Sequence, residues 1–85
     1  MKCWNVLCKE TSTGKKYSVY FRSSTDTYAE AEQIVQQRFS NFKVLPFIKI
    51  THKKWNYFSQ ILPTVKFSEF PFHRSCMIEE ILSPE

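Results

Sequence analysis

The chain reads as an α+β domain, a small antiparallel or mixed sheet with one long amphipathic helix packed on a face, in an order of roughly β-β-α-β-(β)-α. Three observations carry that expectation. Residues 3–9 and 16–22 each alternate in side-chain character around a loop that holds the chain's single glycine. Residues 27–39 repeat apolar side chains at helical spacing behind a capping signal, and residues 43–51 return to a strand pattern.

In the first strand Trp4, Val6 and Cys8 share one face, and Cys3, Asn5 and Leu7 take the other. The segment from Glu10 to Gly14 is a hairpin loop, with Gly14 free to adopt the positive φ that such loops often need. The second strand places Tyr17, Val19 and Phe21 on one face and Lys16, Ser18, Tyr20 and Arg22 on the other. Thr27-Tyr-Ala-Glu30 matches a capping box, and Tyr28, Ala31, Ile34 or Val35, and Phe39 then form an apolar stripe. Asp26, Glu30 and Glu32 near the start and Arg38 near the end suit the helix dipole. Ser40-Asn41 is the expected stop, since Asn tolerates the left-handed conformation.

From Lys43 to Thr51, Val44, Pro46, Ile48 and Ile50 share parity. Pro46 cannot donate to a ladder, so the segment belongs at an edge, a bulge or a strand start. Residues 53–62 fit a short helix lined by Trp55, Phe58, Ile61 and Leu62, or a hairpin strand. Thr64–Phe67 is a short strand candidate between the reversals at Pro63 and Pro71. A short helix is expected from about Ser75 to Leu82, with Met77, Ile78, Ile81 and Leu82 facing inward.

Residues 1–85 make one compact domain. Eight Phe, four Tyr and two Trp supply much of the area that so short a chain has to bury. The net charge of +4 is uneven, with ten Lys or Arg against four acids in residues 1–60 and two against four in residues 61–85. Three cysteines are too few, and odd in number, for a disulfide scaffold, so reduced thiols and a cytoplasmic location are the simpler account. The start MKCWNVLCKET lacks a long apolar run, so neither a signal peptide nor a membrane span is expected.

Chemistry-bearing motifs are sparse. Cys3, Cys8, His52, His73 and Cys76 lack the paired close spacing of a zinc site, and Cys3 and Cys8 point to opposite faces of a strand. A single glycine excludes a glycine-rich phosphate cradle, and no nucleophile stands with a base and an orienting group. No enzyme activity, metal, cofactor or small-molecule substrate is therefore expected, and no motif carries a family resemblance.

The expectation is a small non-catalytic binding or regulatory protein that contacts nucleic acid, single- or double-stranded, through a basic surface. The basic set is Lys15, Lys16 and Arg22 on the hairpin and Lys43, Lys49, Lys53 and Lys54 after the helix, and Lys15, Lys16, Arg22, Lys49, Lys53, Lys54 and Tyr57 are the candidate contacts. In THKKWNY, residues 51–57, lysines that neutralise phosphates alternate with aromatic rings that stack on bases. Tyr20 and Phe47 join that platform if they lie on the open sheet face. The bland alternative makes Trp55 and Tyr57 core anchors and the lysines a solvated turn. The other functional alternative is a protein-interaction or inhibitor module, working through a sheet edge or through the Phe-rich C-terminal section, where Phe67, Phe70, Phe72 and Met77 form a docking patch or a homodimer seam.

Overall fold

The computed structural model describes residues 2–25, 27–71 and 73–83. Asp26 and Phe72, given roles above, lie outside the described residues.

The hairpin forms as its alternation requires. Strands β1 (Lys2–Glu10) and β2 (Lys16–Ser23) pair antiparallel, with Trp4 opposite Phe21, Val6 opposite Val19 and Cys8 opposite Tyr17. These six residues are buried and form one face of the sheet. The loop closes through Glu10 N–H to Lys15 C=O and Gly14 N–H to Glu10 C=O, both 2.8 Å, and Gly14 takes φ 74°.

Helix α1 (Tyr28–Arg38) starts at Thr27, whose hydroxyl accepts from Glu30 N–H at 3.4 Å. Its stripe of Ala31, Ile34 and Val35, continued by Phe39, packs on that first face of the sheet. The helix has 11 residues and ends with Phe39 N–H bonded to Val35 C=O. No described non-glycine residue has a positive φ, so Asn41 does not end it in the left-handed conformation. Phe39 anchors an edge-to-face cluster, with Phe67 at 5.4 Å and Phe70 at 5.6 Å between ring centroids.

Pro46 lies at an edge and in a bulge. Strands β3 (Phe42–Val44) and β4 (Ile48–Ile50) both pair antiparallel with β1, Cys8 opposite Val44 and Asn5 opposite Ile48. Residues 45–47 thus face only residues 6–7, one extra residue, and the bulge reverses the parity expected across it. Val44 shares the first face with Cys8, whereas Ile48 and Ile50 share the second with Asn5 and Cys3.

Residues 52–59 resolve as a helix, α2 (His52–Ser59), capped by Thr51, whose hydroxyl accepts from Lys54 N–H at 3.1 Å. Beyond β5 (Thr64–Val65) and a 3₁₀ turn at Phe67–Glu69, the expected C-terminal helix is instead a strand, β6 (Ser75–Leu82). It lies parallel between β2 and β5, so both its edges find ladder partners and Cys76, Met77 and Ile78 are buried in succession. A run buried on both faces has no period to distinguish it from a helix. Its later apolar residues fall at helical spacing because residues 78–80 bulge opposite Phe21 alone.

The result is an α+β fold with a six-stranded mixed sheet, in the order β3-β1-β2-β6-β5 with β4 also on β1, and two short helices among the described residues. The expected order fails at its end, and the helix expected to be long has 11 residues, beside a second of 8.

Candidate functional site

The second face of the sheet is where the polar halves of the strands meet. Residues opposite one another on paired strands share a face. By register, Lys43, Lys9 and Lys16 stand side by side across β3, β1 and β2. All three are exposed. One row along come Leu7 and Ser18, which carry no charge, and the next row holds Ile48, Asn5, Tyr20 and Met77. The four residue steps from Lys9 to Asn5 span about 14 Å of strand. Glu30 and Glu32 are exposed on α1, which packs on the opposite face.

Helix α2 sits at the rim of this face and does not enter the core, since none of its residues is buried. Phe58 packs on Tyr20 with ring centroids 4.8 Å apart, and the Arg22 guanidinium lies 5.3 Å from the centre of the Trp55 ring. Arg22 also donates to Glu79 C=O at 2.7 Å across the β6 bulge. Between helix and strand edge runs a groove of about 560 Å³. Asn5, Tyr20, Ile48 and Ile50 line it from the sheet, and Thr51, Lys53, Lys54, Tyr57 and Phe58 from the helix and its cap. Ile48 and Tyr57, from its two sides, are each 59% exposed. Asn5 Nδ2 donates to Ser18 Oγ at 3.0 Å and Val19 C=O at 3.3 Å, so its amide hydrogens are committed to the sheet. Among the described residues no carboxylate lines the groove.

Of the residues expected to bind nucleic acid, Lys53, Lys54 and Tyr57 come together in the groove and Lys16 joins the lysine row. Arg22 is engaged by Trp55 and Glu79, and Lys15 lies on the hairpin loop. Lys49 is opposite Trp4, on the α1 face, with its Nζ 6.0 Å from the Trp4 ring centre. Phe47 is buried and stacked on Tyr28 at 4.6 Å, so it offers no platform, whereas Tyr20 does lie on the second face. Tyr57 is exposed and no core anchor, and Trp55 is half-buried at the rim, since none of the α2 residues enters the core. Lys9 is absent from the sequence-based expectation, whereas Lys43 belongs to its basic set after the helix. Lys9 continues the parity of Cys3, Asn5 and Leu7, a signal present in the sequence, whereas placing Lys43 needed the bulge.

The residues proposed for a protein interface are largely occupied. Phe67 and Phe70 pack against the core cluster, Met77 is 1% exposed, and Phe72 lies outside the described residues.

All three cysteines are free and buried. Cys8 and Cys76 share the first face but sit on strands separated by β2, so about 9.6 Å of sheet lies between them, beyond the ~7 Å reach of a disulfide. Burial pushes the Cys8 thiol up to about 12, with the neighbouring Cys76 adding to it, and burial lifts Cys76 to about 11. Burial also raises Cys3, on the second face. Neutral buried thiols are poor nucleophiles. Among the described residues no three His, Cys, Asp or Glu side chains converge as metal ligands, and no helix is long and apolar enough to cross a membrane.

No family model, curated protein or solved structure matches the chain.

Proposed function

We propose that the protein is a non-catalytic binding protein whose partner is nucleic acid, held against the second face of the sheet. One observation carries the reading, the alignment of Lys43, Lys9 and Lys16 on adjacent strands. Like charges directly opposite one another weaken a sheet, and the uncharged Leu7 and Ser18 beside them do not relieve it. A polyanion does, by bringing phosphates to the row and releasing its own counterions. Lys53 and Lys54 extend the cationic surface along the groove, and the exposed acids of α1 lie on the opposite side, so the field favours approach to this face. A protein partner at the Phe-rich C-terminal section has less surface to work with, given the packing of Phe67, Phe70 and Met77.

Fluorescence anisotropy with labelled oligonucleotides, at low and near-physiological salt, tests this. The triple substitution of Lys9, Lys16 and Lys43 by Ala is expected to weaken binding across all sequences. It should also lower the salt slope by roughly 0.7–0.9 for each phosphate that is no longer neutralised. Unchanged affinity and slope would remove the lysine row from the site.

A further inference from the structure

We infer that the groove between β4 and α2 receives an unpaired nucleobase, so that the partner is single-stranded nucleic acid rather than a duplex. The inference rests on the reading of this face as a nucleic-acid site and deepens it. Charge and shape select the occupant together. The groove is lined by the apolar and aromatic side chains of Tyr20, Ile48, Ile50, Tyr57 and Phe58, and its charged lining residues, Lys53 and Lys54, are both cations. A base is a planar, largely apolar group carried on an anionic backbone, which matches an aromatic groove with a cationic border. The lysine row lies about 14 Å along the same strands, with Leu7 between. One strand crossing the face thus places phosphates on the row and a base in the groove. A duplex keeps its bases paired and stacked inside and presents only phosphates and groove edges, so it has nothing to insert between Ile48 and Tyr57.

The chemistry also fixes the kind of recognition. Asn5, the one side-chain amide lining the groove among the described residues, has its Nδ2 tied to Ser18 and Val19. Tyr57 and Ile48 are open to solvent and contribute contact area. Stacking on such a surface tolerates any base, so binding is expected to be single-strand-selective and weakly sequence-dependent.

The test compares a short labelled single strand, the same strand made abasic, and the matching duplex, at near-physiological salt. Wild-type protein is expected to bind the intact strand about 10-fold or more tighter than the abasic one. The duplex should also bind more weakly than the intact strand. Tyr57→Ala should lose a similar factor on the intact strand and none on the abasic one, while Tyr57→Phe keeps wild-type affinity. Ile48→Thr, which preserves β-branching in the strand, gives a second route to the same readout, and circular dichroism confirms that each variant is folded. Equal binding of intact and abasic strands, still abolished by the triple lysine substitution, would overturn the base-in-groove inference and leave the face a phosphate-binding surface whose groove serves another ligand. No binding of any oligonucleotide at near-physiological salt would overturn both.

Discussion

Lys9 has Lys16 on one side and Lys43 on the other, and each pairing costs a few tenths of a kcal/mol in the folded state. The arrangement allows stability and binding to be separated at one position. Lys9→Glu replaces two repulsions by two attractions, so the urea midpoint should rise slightly while oligonucleotide affinity falls. A variant that lost both would place Lys9 in a structural role. Arg22 is the contrasting residue. Its guanidinium lies over Trp55 and donates to Glu79 C=O, so the charge helps join α2, β2 and β6 whatever the ligand.

The two helices differ in what holds them. Helix α1 buries Ala31, Ile34 and Val35 against the sheet, whereas α2 buries no residue and rests on the half-buried Phe58 and Trp55. Ile34 is fully buried, and Ile34→Ala should cost about 2–5 kcal/mol in urea unfolding, because the close-packed surroundings collapse only partly around the cavity. A loss under roughly 0.5 kcal/mol would contradict the packing of this helix face. Hydrogen exchange should show amides of α2 exchanging faster than those of α1, β1 and β2, since few buried contacts resist local opening. Slower exchange on adding a single-stranded oligonucleotide should then concentrate in α2, the element that borders the groove.

At the scale of the molecule, the first face is a closed core and the second is the face that α2 borders. Cys8 and Cys76 report on the core. A thiol whose pKa is raised by folding leaves its proton first in the unfolded chain, so its contribution is fully present below the ordinary value of 9.0 and is lost as pH rises through the folded value. Stability should therefore fall as pH rises from about 9 toward 12, and this component of the decline should flatten in a Cys8→Ala, Cys76→Ala double variant. Thiol reagents should label Cys8 and Cys76 only on unfolding. Rapid labelling of the native protein at neutral pH would show that the first face opens.

Local rules made the hairpin, the Gly14 turn, the Thr27 cap and the Ile34 stripe legible, because each depends on side chains a few residues apart. Part of the site was legible for the same reason, as Lys53, Lys54 and Tyr57 fall within one short helix. The remainder depended on non-local pairing. Only the sheet order could make Ser75–Leu82 a buried strand between β2 and β5, since an apolar run carries no signal of what lies on either side of it. Only the bulge at Leu45–Phe47 could turn Lys43 toward Lys9 and send Lys49 to the other face, because one inserted residue reverses every side chain beyond it. The sequence by itself thus determined the fold class, the α1 face and the positive charge. The tertiary structure decided which lysines stand together and that a groove lies beside them, since both depend on register between strands far apart in the chain.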